Sequence, residues 1–418
     1  MSEEAPGKAT LLMDSNYCQI HPAENANCGL SLKSHLLKAY TMNLKRLDRW
    51  NRRRFMEASL AAAVVPVLTS PASAGPADSP VQNSVGNPRG ALANGELARR
   101  MELTARRFRE GKTPAFTPEF VLADVALSPA RRFNEYSGDL SGRYIEAVAL
   151  RPVSASSGLE TLVSKLLSYQ REDGRFGEAG LVFKADSIGP NHMALLWGNG
   201  RLLIGLLTYY RVRRRPEVLK AAKRLGDFLL QIQGEAARPE VRQRLEGQGA
   251  SGFICFTQLI EGLVMLKNAT GDQRYLDRAG EIIPLLQPRG IQHAHGYLAT
   301  LRGILDLANA TRKPEYLASV EKKYADLLGS SDYTVFGSVL EYFGWGDPGS
   351  TDAGRKQIVA ASGGDPRDEG CGHADFLRLS LGLWRTTGKA VFPGRKPFPC
   401  ARCTPPPWIP GKAFWPSG

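Results

Sequence analysis

The sequence predicts an all-α protein built from stacked helical hairpins, and three observations support this. From about Glu96 onward, apolar residues recur at intervals of three and four, which is the spacing of one face of an α-helix. Segments with the alternation of a β-strand are nearly missing, which argues against a parallel-sheet enzyme. One phrase also recurs, in which a helix ends in a short polar turn and a second helix follows at once. Such hairpins form either a closed double ring or an open solenoid.

The recurring phrase is complete three times and begins a fourth time near the C-terminus. Leu219, Leu276 and Leu317 take equivalent places in the second helix, so the period is irregular, at about 40 to 57 residues. The fourth copy begins at Leu383 and breaks off after Gly388. Because each hairpin must bury an apolar face against its neighbours, the repeat predicts one helical domain over residues 96–390.

The segment that precedes this domain has the pattern of an export signal. Residues 50–74 combine a basic head at 52–54, an apolar run at 58–68 and a small-residue cleavage site ending at Ala74. Paired arginines followed by Phe55 and Met56 resemble a twin-arginine signal, which implies the Tat export machinery as a partner and a periplasmic or extracellular location. The apolar run is too short for a permanent membrane span. A basic linker beside a short core helix is the alternative.

A signal that begins this far into the chain divides the N-terminal part into three predicted segments. We interpret residues 1–41 as upstream translation, with the true start at Met42. Residues 42–74 are then the signal peptide. Residues 75–95, rich in Pro, Gly, Ser and Asn, are predicted to be a linker.

The positive charge does not indicate a nucleic-acid partner. The net charge is +13, and more than half of that excess lies in residues 1–74 and 389–418. The helical domain keeps a modest excess, and no basic stripe interleaved with aromatic residues is present in the sequence. The arginine-rich cluster at 211–215 is interpreted as a solvated turn at a helix end, where cations favour the helix dipole.

The last predicted helix runs from His373 to Thr387 and carries a chemically suggestive start. Its predicted apolar face holds Phe376, Leu377, Leu381 and Trp384, while Arg378 and Arg385 face away. Just before it, Glu369 and Cys371 place a carboxylate and a thiol two residues apart, a combination that suits a borderline-soft metal ion. The alternative is that Glu369 is a carboxylate favoured by the helix dipole and that Cys371 is an ordinary small residue. Cys255 lies in an apolar segment and is predicted to be a core residue.

The loops between the hairpins carry the other candidate site residues. In a ring of hairpins, the loops of one face converge on a central cavity, where carboxylates, imidazoles and aromatic rings suit a sugar. His192 and Asp173 are also compatible with capping and turn roles. The loop candidates are Asp173, His192, His293, Glu341 and Trp345.

Four stretches together resemble glycoside hydrolase family 127, the β-L-arabinofuranosidase family. They are residues 173–177, residues 196–200, His293 ahead of residues 303–308, and Glu369-x-Cys371 ahead of the last helix. The resemblance covers roughly residues 135 to 390. It implies an (α/α)6 barrel, here incomplete at the C-terminus.

The resemblance also implies roles for individual residues. Glu369 and Cys371 match the family's Glu-x-Cys pair and imply two ligands of a zinc ion. Glu341 matches the acid/base glutamate, and His293 matches a sugar-contacting histidine. A second sugar-contacting histidine of the family falls on Arg201, so that contact is altered here.

The sequence departs from the family downstream of the last helix. The family's nucleophilic cysteine belongs to an adjacent Cys-Cys pair that has no counterpart here. Residues 393–418 contain eight prolines and no acidic residue, so we interpret residues 391–418 as an out-of-frame tail. The chain is therefore predicted to be a glycoside hydrolase on condition that its barrel and nucleophile are complete.

The predicted function is an exported glycoside hydrolase-like protein acting on terminal sugar residues of plant-type glycans, of the β-L-arabinofuranoside type. Two alternatives stay open. One is a non-catalytic, truncated relative that binds glycans, and the other is a helical-barrel polysaccharide lyase or uronyl hydrolase, which needs no zinc.

Overall fold

The computed structural model describes residues 95–111, 115–131, 133–151, 158–246, 248–290, 292–334, 337–344 and 370–389. Across these ranges the backbone forms helices and two isolated β-bridges, His293 with Tyr342 and Tyr333 with Val339, and no strand. The all-α prediction is thus confirmed. None of the helices in these ranges is both long and apolar enough to cross a membrane. Trp345, Glu369, the signal segment and the tail lie outside the described residues.

The described helices are numbered here in chain order. Two short 3-10 turns, Asn134–Tyr136 and Ile283–Leu285, accompany them. The α-helices are α1 (Gly95–Glu110), α2 (Pro118–Leu122), α3 (Asp139–Ala149), α4 (Leu159–Leu167), α5 (Pro190–Arg213), α6 (Pro216–Ala236), α7 (Pro239–Arg244), α8 (Ile254–Thr257), α9 (Ile260–Thr270), α10 (Gln273–Ile282), α11 (Ala294–Thr311), α12 (Pro314–Leu328) and α13 (Gly370–Thr387).

The helices form two layers. Helices α3, α5, α9, α11 and α13 form an inner layer, and each packs against the next in this order. Helices α4, α6, α10 and α12 lie outside them, each paired with the inner helix that precedes it. Helix α5 is buried on all sides from His192 to Tyr209, whereas an outer helix such as α10 buries one face only. This alternation confirms the predicted helical-hairpin barrel.

The predicted hairpin turns are confirmed as well. Helix α5 ends before Arg214, which adopts a left-handed conformation with φ 54°, and Pro216 starts α6. The same turn recurs after α11, with Arg312 at φ 59° and Pro314 starting α12. Proline favours the first turn of a helix because its missing N–H has no helical partner there. The arginine cluster at 211–215 is thus a helix end, as predicted.

Among the described residues, an ion pair links the last inner helix to the first. The Arg378 guanidinium on α13 lies 3.1 Å from the Glu146 carboxylate on α3 and 3.5 Å from Glu261 on α9. Because an antiparallel outer helix separates each inner helix from the next, the inner helices run parallel. Their N-terminal ends therefore all lie at one face of the ring, which is where the predicted site residues of α11 and α13 are found.

Helices α3 and α5 are in backbone contact through glycines. A Cβ atom added at Gly142 would lie 2.6 Å from the backbone of Arg201, and one at Gly205 would lie 2.4 Å from the Gly142 carbonyl oxygen. The buried Asp124 fixes the start of α3, because its Oδ2 accepts hydrogen bonds from the N–H groups of Gly138 and Leu140. This contact sets the position of α3 beside the ring centre.

The predicted apolar face of the last helix is partly wrong. Leu379 and Leu383 are fully buried on α13, and Phe376 is nearly so, as expected of a face with helical spacing. Trp384, by contrast, is 45% exposed, and Leu377 and Leu381 are half-buried. The buried face is rotated from the predicted one because Gly372, Asp375 and Ser380 pack inward together with the apolar residues.

Candidate active site

The structure brings two predicted site residues together at the N-terminal face of the ring. His293 is the residue that precedes α11, and it pairs with Tyr342 in an antiparallel bridge. The backbone N–H of Ala294 donates to the carbonyl of Glu341 over 2.8 Å, and the N–H of Phe343 donates to the carbonyl of Gln292 over 2.9 Å. These two bonds fix the half-buried Glu341 beside the start of α11.

Aromatic rings surround His293. Its imidazole centroid lies 5.4 Å from the ring of Tyr342, 5.9 Å from that of His295 and 6.1 Å from that of Trp197. All four side chains are buried. They therefore form a rigid wall at the mouth of the ring, and not a set of exposed platforms.

An accessible ion pair lies next to this wall. One carboxylate oxygen of Asp139 accepts hydrogen bonds from the Trp197 indole N–H and the Arg143 guanidinium, both over 2.8 Å. Burial alone would raise the pKa of Asp139, but the charge and hydrogen bond of Arg143 lower it below its usual value. The side chains of Asp139 and Arg143 keep 26% and 34% of their exposure. Since they stand among the inner helices, they line a solvent-reached hollow.

Cys371 occupies the first turn of α13, half-buried and free of any disulfide. Burial lowers the pKa of the Arg143 guanidinium, but the charges of Asp139 and then of Cys371 raise it above its usual value. The thiol of Cys371 is therefore close enough to interact electrostatically with Arg143. Glu369, the second residue proposed to hold zinc, is outside the described residues.

A zinc ion needs about four ligands, and the described residues do not supply them. No group of three His, Cys, Asp or Glu side chains with metal-binding geometry occurs among the described ranges. Cys371 has a cationic neighbour, Arg143. The described residues alone therefore do not fit a zinc ion, and no chemical step is assigned to one.

Below the mouth, six charged or polar side chains form a buried network across the inner helices. The Asp375 carboxylate accepts from His295 Nδ1 and from Arg302, and Arg302 also pairs with Glu261. Arg201 donates to the Gln258 amide oxygen over 2.6 Å and lies 3.8 Å from Glu261. Helices α5, α9, α11 and α13 are therefore joined at the ring centre by charge-assisted bonds.

The network fixes the protonation of its members near neutral pH. Burial opposes ionisation of Asp375, but His295 and Arg302 hold the pKa of that carboxyl well below its usual range. Burial lowers the pKa of His295 to about 4, although Asp375 favours the charged form. At pH 7 the pair therefore consists of an ionised carboxylate and a neutral imidazole.

Two predicted residues lie elsewhere. Asp173 forms an ion pair with Arg175 over 2.8 Å within its own turn, and that turn packs on Arg224 of outer helix α6. His192 caps the start of α5, with Nδ1 accepting from the Gly189 N–H over 3.2 Å. The structure places both outside the cluster around His293.

A separate small cavity lies between α7, α8 and the turn Ile283–Leu285. Its volume is about 40 Å³, enough for a few water molecules and too small for a sugar ring. It is lined by Arg242, Gln248, Phe253, Thr257 and Gln292 among others. The hollow beside Asp139 is therefore the better candidate for substrate binding.

Sequence reasoning missed Asp139, Arg143, Glu261, Arg302 and Asp375. For Glu261 and Arg302 the signal is a charged residue within a run of buried helix residues, as with Glu261 between Ile260 and Gly262. A buried charge of this kind requires a partner. The sequence does not say which helix supplies that partner.

A family model described as "Beta-L-arabinofuranosidase, GH127 catalytic domain" matches residues 134–391. No curated protein matches the sequence.

Among solved structures, a GH127 beta-arabinofuranosidase is 15% identical, with 70% of this chain and 50% of that chain covered and a TM-score of 0.45. The GH127 beta-L-arabinofuranosidase Ara127N from Geobacillus stearothermophilus T6 is 12% identical, with coverages of 73% and 52% and a TM-score of 0.46. A GH76 alpha-mannanase from Bacteroides thetaiotaomicron is 14% identical, with coverages of 65% and 71% and a TM-score of 0.39. The chain spans about half the length of the two arabinofuranosidases.

Proposed function

Because the chain belongs to glycoside hydrolase family 127, we propose that it acts on terminal β-L-arabinofuranoside-type sugar residues of plant-type glycans. The observation that carries this proposal is the backbone pairing of residues 341–343 with residues 292–294. This pairing sets the backbone of Glu341 beside His293, at the start of α11. A glycosidase needs such an arrangement, with a proton donor next to groups that hold the sugar.

In this proposal Glu341 is the acid/base residue. As a carboxylic acid it gives its proton to the leaving-group oxygen while the glycosidic C–O bond breaks and an enzyme nucleophile, which the described residues do not supply, bonds to the anomeric carbon. As a carboxylate it later takes a proton from the water that displaces this nucleophile. His293 and Asp139 hold sugar hydroxyls at the mouth of the ring. Trp345, which lies outside the described residues, is a further candidate for a sugar contact, whereas His192 and Asp173 lie away from this cluster.

The test is hydrolysis of an aryl β-L-arabinofuranoside by the full chain. Glu341→Gln keeps the side-chain size and removes the transferable proton, so kcat should fall about 100-fold or more. Glu315→Gln, an exposed residue in the first turn of α12, is the matched control and should keep full activity. Equal activity of both variants would exclude Glu341 as the acid/base residue.

Two other functions would give different results with this substrate and with others. A non-catalytic, glycan-binding relative would bind arabinose-containing glycans in a pull-down assay without releasing the aryl group. A lyase would cleave uronate-containing oligosaccharides with a gain in ultraviolet absorbance from a new double bond. A uronyl hydrolase would cleave them without that gain. Family membership favours the arabinofuranoside.

We further propose that Cys371 and Glu369 hold zinc, with the remaining ligands supplied by residues outside the described ranges. Metal analysis of the purified full chain should give one zinc per chain, and Cys371→Ser should lower that ratio. Cys255→Ser is the control, because Cys255 is fully buried in the core, as predicted. A zinc ratio near zero in the wild type would contradict the proposal and would leave the lyase alternative open.

Export by the twin-arginine route is also proposed, on the pattern of residues 52–56. Fractionation of an expressing bacterium should place the processed chain in the periplasm or the medium. Changing Arg52, Arg53 and Arg54 to lysine should retain the unprocessed chain inside the cell. Unchanged export of that variant would refute the route.

A further inference from the structure

His295 is a buried histidine with one ring nitrogen committed and the other unused. Its Nδ1 shares a hydrogen bond with the Asp375 carboxylate, while its Nε2 has no hydrogen-bond partner. The side chain is 5% exposed. Because an ionised carboxylate only accepts, Nδ1 carries the proton and Nε2 presents a lone pair. His295 therefore offers a hydrogen-bond acceptor.

The ring of His295 is held in this orientation. Asp375 is itself fixed by Arg302, and Arg302 by Glu261. On its other side the imidazole meets the edge of Trp197 at a centroid distance of 4.8 Å. Turning the ring over would break the Asp375 bond inside the protein, which is costly for a buried polar group. The acceptor is thus prearranged.

His295 borders the hollow at the mouth of the ring. It lies 5.9 Å from His293, centroid to centroid, and its neighbour Trp197 donates to Asp139. Arg143 is close enough to lower the pKa of His295 and keeps one third of its side chain exposed. A sugar in the hollow reaches Nε2 only if the Arg143 side chain moves aside.

We propose that Nε2 of His295 accepts a hydrogen bond from a hydroxyl group of the bound sugar and so selects neutral sugars over uronates. This inference rests on the proposed function, in which the hollow binds a sugar. A hydroxyl has a proton to donate to the lone pair. A carboxylate at neutral pH has none, and its oxygens meet the lone pair unfavourably.

The test is a titration of the full chain, labelled with ¹⁵N-histidine, with L-arabinose and separately with D-galacturonate. Arabinose should shift the Nε2 resonance of His295 upfield, in the direction of a newly accepted hydrogen bond. Galacturonate should leave it in place. His192 is the internal control, because its Nδ1 and Nε2 are already bonded to Gly189 and Val182.

Two variants separate the acceptor from a merely structural role. Asp375→Asn places an amide N–H against Nδ1, so the ring proton moves to Nε2, which becomes a donor. The preference should then turn towards galacturonate. His295→Asn keeps a donor for Asp375 and removes Nε2, and its affinity for arabinose should fall about tenfold. The thermal midpoints of both variants report whether the fold persists.

The outcomes distinguish this inference from the proposed function. If the aryl arabinofuranoside is hydrolysed and the Nε2 resonance does not respond to arabinose, the inference is wrong and the proposed function stands. If galacturonate binds the wild type as well as arabinose does, the selection is refuted. If neither sugar binds and no hydrolysis occurs, both proposals fail.

Discussion

Replacement of Gly142 by alanine tests how closely the inner helices must approach. The new Cβ atom would lie 2.6 Å from the backbone carbon and oxygen of Arg201 and from the backbone nitrogen of Leu202. An ordinary contact begins at 3.4 Å, and a backbone, unlike a side chain, has no rotamer by which to give way. Helices α3 and α5 would therefore have to move apart.

The size of the effect follows from two opposing contributions. Alanine favours a helix over glycine by about 1 kcal/mol, whereas overpacking of a tight core contact costs about 1–3 kcal/mol or more. Because the clash at Gly142 is with backbone, we take the upper part of that range and expect a net loss of about 2 kcal/mol. The same separation would lengthen the bond between Asp139 on α3 and Trp197 on α5.

Denaturant unfolding of Gly142→Ala and of a control variant, Gly234→Ala, measures this difference. Gly234 is exposed near the end of α6, and an added Cβ meets nothing within 4 Å, so that variant should gain ~0.5–1 kcal/mol. Gly142→Ala should unfold at lower denaturant with an unchanged m-value. A midpoint equal to the wild type for Gly142→Ala, together with the expected gain for Gly234→Ala, would show that the glycine contact does not limit helix approach.

Two further substitutions test charges at and near the ring centre. Asp306→Asn should stabilise the protein at pH 8 by on the order of 1 kcal/mol, allowing for solvent screening, and have little effect at pH 4. Asp306 keeps an exposed side chain, but partial loss of hydration and the charge of Glu261 raise its pKa from 3.8 to about 7. Stability from its neutral form is therefore lost as pH rises through that window. Thermal melts at the two pH values measure it, and an equal shift at both would refute the assignment. Asp124→Asn should destabilise by about 2 kcal/mol, because an amide has one acceptor oxygen where both carboxylate oxygens accept, so its NH2 group would face either the N–H of Val125 or those of Gly138 and Leu140. A denaturation midpoint within error of the wild type would contradict this.

The hairpin architecture was predictable because it depends on local signals. The turns after α5 and α11 are marked by Pro216 and Pro314, and each proline defines a helix start wherever the helix lies in space. The burial of Cys255 likewise follows from its apolar neighbours in sequence. Such signals act over a few residues, so they survive in a single sequence.

The candidate site was predictable only in part, since it depends on which helices meet. His293 and Glu341 were predicted from their motifs, and the structure places them side by side. Residues two apart do not share a helical face, so local spacing gives no reason to place the His295 ring beside that of His293. In the structure His293 precedes the helix and His295 lies within it, and a partner 80 residues away, Asp375, gives His295 its orientation. A sequence pattern over a few neighbouring residues cannot indicate a contact between residues that far apart in the chain.

The ion pair that links the last inner helix to the first has a consequence for the order of folding. Successive inner helices are separated in sequence by one outer helix and its connections. Arg378 and Glu146, by contrast, are 232 residues apart in sequence. Bringing such distant segments together carries the largest chain-entropy cost in the domain, and native contacts of long range form slowly. We therefore expect the hairpins to assemble in succession from neighbour to neighbour, with α13 meeting α3 in the slowest step. A chain arrested before that step would hold folded hairpins without a formed binding hollow.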